Sequence, residues 1–225
     1  MMTQLITCGL LVLSSTVWGQ AYTPDVLELD GRETLVFAGE PEFSFTQGGS
    51  VEFWVAPGWV DAPGYDPAIL SRVGETGTEY LVALLRERNG LGVLVGDSEH
   101  VVSFDFSDGQ LHHVALVTAD DELAVLIDGR VRGIFAVSPT ELDAGLLYVG
   151  TSNGIDAAFE GAIAALRFWR IPLTQEEVVS FALRPVLDKD GREHPALDNL
   201  VALSDFNNDT VNVIDHVTQD SGDQP

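Results

Sequence analysis

From Asp25 onward apolar and polar residues alternate with period two, in short runs separated by Gly, Pro, Asn and Asp. Neighbouring side chains on a strand point to opposite faces, so this period marks strands with one buried face. Val51-Glu52-Phe53-Trp54-Val55 puts Val51, Phe53 and Val55 on one side. Glu79 to Leu85, Gly92 to Val95, His100 to Phe106, Leu111 to Thr118 and Glu122 to Ile127 read the same way. Asp108-Gly109, Asp120-Asp121, Asp128-Gly129 and Asn153-Gly154 sit in the gaps as turn formers. About a dozen closely spaced strands predict an all-β, two-sheet antiparallel sandwich or a barrel.

One helix interrupts the strands. Thr174-Gln175-Glu176-Glu177 is a capping box, Val178, Val179, Ala182 and Leu183 supply its apolar side, and Arg184-Pro185 ends it. The polar stretch 188–199, with Gly191 and Pro195, reads as a linker. Leu200 to Phe206 and Val211 to Val217 read as further strands, and 218–225 as a loose tail.

The N-terminus follows a different pattern. The apolar run from Leu5 to Trp18 is too short for a membrane helix and ends in small residues, as a secretory signal peptide does. Residues 1–21 are therefore expected to be removed by cleavage after Gly19 or Ala21, which takes away Cys8, the only cysteine. A cysteine-free mature chain excludes disulfide scaffolds, thiolate zinc sites and cysteine nucleophiles. The expected location is extracellular, periplasmic or at the cell surface, without a membrane span.

Charge narrows the partners. Asp plus Glu number 35 against 11 Lys plus Arg, a net −24, and Lys189 is the only lysine. Such a chain repels phosphate backbones and anionic lipid, so nucleic acid is not an expected partner. Cations, neutral sugars and solubility in salt all fit the acidity.

Four segments, in order, resemble laminin G-like domains of the concanavalin A-like lectin/glucanase superfamily. Leu27-Glu28-Leu29-Asp30-Gly31 is similar to the opening strand and turn, and Ser50 to Val55 to the strand with a conserved aromatic pattern. Gln110-Leu111-His112-His113-Val114-Ala115, with Leu126-Ile127-Asp128-Gly129-Arg130, matches a paired motif of the family. Phe159 to Trp169, followed by Leu173 to Val178, matches its close. The resemblance implies a jelly-roll sandwich over residues 22–187, with binding sites on rim loops. Leu111 stands where the family has Trp, and Ala164-Ala165 where it has an acidic pair, so any role of that pair is lost here. Leu200 to Phe206, with Asp220-Ser221-Gly222, looks like an opening strand of the family placed at the other end; the 200–217 segment is expected to complete the sandwich from the C-terminal side, the alternative being the start of a truncated second module.

The candidate chemistry has competing readings. Glu28, Asp30 and Glu33 reproduce the carboxylate spacing of a glucanase family on this fold, where such groups act as nucleophile and acid/base. The turn signal at Asp30-Gly31 takes Glu33 off that strand, and the same segment matches a non-catalytic opening strand. His112 and His113 are adjacent on a strand, so they face opposite ways and cannot share a metal. Asp97, Asp120, Asp121, Asn153 and Asp156 lie on expected loops and offer the hard oxygens that suit Ca²⁺. The 57–66 loop carries Trp59 and Tyr65 beside Asp61 and Asp66. Such a ring can stack on a sugar while the carboxylates accept its hydroxyls, or the aromatics can fold back over a sheet edge. The expected function is non-catalytic recognition of a glycan or an extracellular protein. A glycan hydrolase and a structural or adhesive module are the alternatives, since one fold serves all three.

Overall fold

The computed structural model describes residues 26–37, 41–139, 145–182, 193–204 and 212–213. The expected signal segment, the helix stop at Arg184-Pro185, residues 188–192 of the expected linker, most of the expected strand from Val211 to Val217 and the tail lie outside the described residues. The strands in chain order begin with β1 (Val26–Asp30), β2 (Leu35–Phe37), β3 (Gly49–Pro57), β4 (Ala68–Gly74), β5 (Gly77–Leu84), β6 (Gly90–Val95) and β7 (Ser98–Ser103). They continue with β8 (His112–Ala119), β9 (Glu122–Ile127), β10 (Arg130–Ala136), β11 (Gly145–Val149), β12 (Glu160–Trp169), β13 (Leu200–Ser204) and β14 (Asn212–Val213). Between β12 and β13 lies α1 (Gln175–Phe181).

All pairings are antiparallel, and the strands form two sheets. The larger runs β10-β9-β8-β3-β12-β13-β14, with β1 also on β12, and the smaller runs β2-β11-β4-β5-β6-β7. Val51, Phe53 and Val55 of β3, Val114 and Leu116 of β8, and Tyr80, Val82 and Leu84 of β5 meet in the core between them. The architecture is the expected jelly-roll sandwich with one short helix.

Local chemistry sets the turns. Asp120 and Asp121, at φ 49° and 61°, join β8 to β9, and Asp128-Gly129, at φ 51° and 71°, joins β9 to β10. Two successive positive φ values define the tight hairpin whose twist matches its strands. At α1 the Thr174 hydroxyl accepts from the Glu177 N–H, and the Glu177 carboxylate accepts from the Thr174 N–H, completing the capping box.

The edge of β12 is shared. β1 pairs with its first half, from Glu160 to Ala164, and β13 with its second, from Leu166 to Trp169. The register on β3 slips between Ala164 and Arg167, around Ala165 at φ 48°, where the neighbour on the other side changes.

The expectation of one buried face per strand needs correcting for the larger sheet. Ser50 and Glu52 point away from the core yet are buried, because α1 and residues 193–200 cover that outer face. Ala115, Leu126, Trp169, Leu173, Val178, Ala196 and Leu200 make a second core there. The 193–199 stretch is accordingly not a solvated linker: His194 and Ala196 are buried, and Leu197–Asn199 forms a 3-10 turn leading into β13. Its polar letters misled because composition reports solubility, not which face a segment covers.

Candidate functional site

The strand registers place the loops at two rims. β3 runs from Gly49, opposite Thr118, to Pro57, opposite Gly161, so the 58–67 loop, the 31–34 turn and the 150–159 loop emerge together. The hairpin at 85–89 and the 128–129 turn share this rim. The 74–77, 96–97 and 120–121 turns lie at the opposite one.

The first rim holds a depression of about 160 Å³ lined by Asp30, Gly31, Arg32, Trp59, Pro63, Tyr65, Pro67, Ala158 and Glu160. Two separate sequence candidates, the opening-strand acids and the aromatic loop, thus meet in one place. Asp30 and Glu160 are register partners across β1 and β12, which sets their side chains side by side on the same face. Asp30 Oδ1 also accepts the Arg32 N–H at 3.0 Å, fixing the turn that aims Arg32. Gly161 sits where β12 meets the loop: a Cβ there would fall 2.2 Å from the Ala56 carbonyl oxygen, at φ 148°. Only glycine allows this approach, and with it Gly58 N–H donates to the Glu160 carbonyl at 2.9 Å.

The loop is held from below. Trp59 is 4% exposed. Its Nε1–H donates to the Arg86 carbonyl at 3.1 Å, Phe159 meets its ring edge-on, and the Arg88 guanidinium lies 5.4 Å from the ring centroid. Trp59 is therefore a wall that anchors the loop: of its two readings the ring folded back holds, and the open sugar platform does not. Tyr65, at 46% exposed, presents its ring instead. Asp66 Oδ1 accepts the Arg86 N–H at 2.8 Å, tying the loop to the neighbouring hairpin, while Asp61 points into solvent away from the lining.

The remaining candidates do not converge. Glu28 is exposed on β1, and Glu33 is exposed beyond the strand end; neither lines the depression. Asn153 and Asp156 are bonded to each other, Nδ2 to Oδ2 at 2.8 Å, while Asn153 Oδ1 accepts the N–H groups of Ile155 and Asp156. They fold their own loop. Asp97, Asp120 and Asp121 sit on turns at the opposite rim, so the five expected calcium ligands are divided between two ends of the sandwich. Among the described residues no group of three or more metal-ligating side chains is placed to hold an ion. A second depression, about 510 Å³, lies at that opposite rim beside Asp120, Asp121 and Glu122. The one ring lining it, Phe45, is 3% exposed and turned into the core, leaving no surface on which to stack a ligand.

The adjacent histidines diverge as expected, with consequences the sequence did not announce. His112 lies at the first rim, its Nδ1 2.9 Å from Asp128 Oδ2 and its Nε2 3.0 Å from Asp108 Oδ1. Partial burial pushes its pKa down, but bonds to Asp128 and Asp108 outweigh this and hold it above the usual histidine value. His113 lies under α1, its Nε2 3.4 Å from Glu52 Oε2. Burial pushes the Glu52 carboxyl up, but His113, the Arg167 charge and the Trp169 N–H prevail and hold it below the usual carboxylate range. His194, buried against Trp169 and Phe181, is pushed down by that burial. Arg32 and Glu160 of the rim were missed in sequence; only the pairing of β1 with β12 brings them to Asp30.

Fold and rim together define a two-sheet jelly roll with a loop-built surface depression. The laminin G-like family model of the concanavalin A-like lectin/glucanases superfamily matches residues 30–179. The chain belongs to that superfamily. A heptameric SAP-like pentraxin from Limulus polyphemus is similar in structure at 18% identity, covering 83% of this chain and 94% of that one, with a TM-score of 0.53. A putative carbohydrate binding protein from Bacteroides ovatus is 14% identical over 81% of this chain and 51% of that one, at 0.58. Domain 4 of an extracellular GH43 arabinanase from Geobacillus stearothermophilus, solved with arabinotriose, is 19% identical over 72% and 81%, at 0.54. At these identities the likeness shows the fold. No curated protein matches the chain. Among the described residues no helix is long and apolar enough to cross a membrane.

Proposed function

We propose that this protein is a secreted, non-catalytic binding module that takes a single sugar ring of a glycan at the rim depression. The observation that carries the reading is the convergence of the half-exposed Tyr65 ring with Asp30, Glu160 and Arg32 in one preformed hollow. A ring face stacks on sugar C–H groups, the two carboxylates accept hydroxyl donors, and the guanidinium donates to a ring or hydroxyl oxygen. The 160 Å³ volume falls below the about 300 Å³ of sites that enclose drug-sized ligands, which suits one ring at a chain end. Because Trp59, Asp66 and the Arg86 carbonyl already fix the loop, little ordering remains to oppose binding.

The putative carbohydrate binding protein and the arabinotriose-bound domain among the structural relatives support a glycan ligand. The apolar N-terminal run supports secretion. Of the three acids with glucanase-like spacing only Asp30 lines the depression, while Glu28 and Glu33 do not, which supports a non-catalytic role over the hydrolase reading. A glycan panel, run with calcium and with chelator, tests the proposal. Hits are expected that weaken on the order of tenfold or more in Tyr65→Ala and Asp30→Asn. Hits unaffected by both substitutions would move the site elsewhere, and release of reducing ends from a bound glycan would overturn the non-catalytic reading.

A further inference from the structure

The outer face of the smaller sheet is covered at β4, where Ser71 is buried and donates to the carbonyls of Thr151 and Ser152, but over β5 and β6 it is apolar and part-exposed. Val36, Leu146 and Val101, on β2, β11 and β7, are 48%, 42% and 51% exposed. Between them, β5 and β6 form a groove of about 220 Å³ floored by Ala83 and Gly92 and walled by Leu81, Leu85 and Leu94. The groove is open because β6 has glycine at position 92. A Cβ built there would come no nearer than 3.7 Å to the Leu85 side chain, an ordinary contact, and the φ of Gly92 is one any residue adopts. The missing side chain leaves usable space without serving the backbone.

Two ionisable groups touch this groove, and both are acids. Asp66 closes it at the loop end, and Glu99, opposite Leu94 on β7, stands at the other. One Asp66 oxygen accepts the Arg86 N–H; among the described residues the Glu99 carboxylate makes no hydrogen bond or ion pair. The nearby arginines are engaged elsewhere: Arg72 with Glu79, Arg86 with Glu87 and Arg88 over Trp59.

We propose that this groove docks a basic, extended peptide segment of a partner protein. The aliphatic stem of a lysine or arginine lies over Gly92 between Leu81 and Leu94, and its cationic head reaches Glu99 or Asp66. Long basic side chains are suited to such a surface because they cover apolar area while keeping their charge at its margin. Charge selects the partner: a chain of −24 with only carboxylates at the groove repels acidic ligands and attracts basic ones. A second copy fits poorly, since a two-fold contact sets Asp66 and Glu99 against the same acids. Six strands about 4.8 Å apart and about five residues long present roughly 400 Å², half of the about 800 Å² per partner of a stable interface. A sugar fits poorly too, because no aromatic ring, amide or hydroxyl lines the groove.

The probe is a short capped peptide alternating valine and lysine, titrated into the full chain by fluorescence anisotropy. Its counterparts replace lysine by glutamate or by uncharged norleucine. Binding of the lysine peptide is expected to weaken at high salt, by on the order of tenfold in Gly92→Val and by severalfold in Glu99→Gln. Gly92→Val fills the floor, and an unchanged urea midpoint shows that its fold is intact. Tyr65→Ala is expected to leave the titration unchanged, which separates this surface from the rim site. No binding of the lysine peptide, equal binding of the glutamate or norleucine peptide, or an unaffected Gly92→Val titration overturns the proposal. Sedimentation showing that wild type dimerises and Gly92→Val does not assigns the face to a second copy instead, and equally overturns it.

Discussion

The two outer faces of this sandwich start from similar material and end differently. On the larger sheet the outward residues Ala115, Leu126 and Trp169 are sealed by α1 and residues 193–200 into a second core. On the smaller sheet Leu81, Leu94 and Val101 remain partly or largely exposed. The covered face also contains charge. Glu52 is fully buried among His113, Arg167 and Trp169, whose Nε1–H donates to it at 2.9 Å, while Arg167 also donates to the Phe181 carbonyl of α1 at 3.0 Å. Polar groups placed in such surroundings hold a neighbouring element in register, because each loses its partner if that element moves. Among the described residues the groove on the open face has no such network, only Asp66 and Glu99. One face is committed to the protein's own helix, and the other is left for something else.

The largest effect expected from this difference is at Glu52. Glu52→Ala removes the carboxylate beside Arg167 and the acceptor of the Trp169 N–H in the second core, and a loss of about 3–5 kcal/mol is expected from urea unfolding. Glu99→Gln on the open face is expected to shift the same measurement by no more than about 0.5 kcal/mol. Comparable losses at the two positions would erase the distinction between the faces.

Next is Leu200→Ala. Leu200 starts the strand that pairs with Trp169 and is buried in the second core, so a loss of about 2–5 kcal/mol is expected. If 200–217 instead began a separate module, thermal unfolding of the sandwich would not register the change.

Smaller, and opposite in sign, are two histidine effects. His194 is depressed in the folded state, so between the two pKa values the unfolded chain binds the proton and the native one does not. Its contribution is present above about pH 6.5 and is lost as pH falls toward the depressed value. His112 is raised by Asp128 and Asp108, so its contribution is present below about pH 6.5 and is lost as pH rises through the raised value. Unfolding midpoints of His194→Gln are expected to lose their decline on the acid side of 6.5. Those of His112→Gln are expected to lose theirs on the alkaline side. Glu52, depressed as well, adds a further loss below about pH 4.5.

What was legible in the sequence was local. The capping box needs only Thr174 and Glu177, the hairpins need only Asp120-Asp121 and Asp128-Gly129, and the alternation of Val51, Phe53 and Val55 names the core face directly. Burial of Glu52 was not legible, because its cover arrives from α1 and from His194, more than a hundred residues later. Of the two readings left open for Trp59, the structure takes the one in which the ring folds back, for the same reason. An aromatic ring in a Pro- and Gly-rich loop looks exposed until Phe159 and the Arg86 carbonyl are seen to meet it. The candidate acids were visible, but period two does not say at which rim a turn lies. The split of Asp97, Asp120 and Asp121 from Asn153 and Asp156 follows only from the strand order.

Backbone amide shift mapping of the full chain tests the account most directly, with a panel-derived glycan and the valine–lysine peptide added in turn. The glycan is expected to move signals of residues 30–32, 59–67 and 158–160, the peptide those of Asp66 and residues 81–101, and neither those of α1. Shifts centred on α1 and residues 193–200, or one shared set of shifts for both ligands, would contradict it.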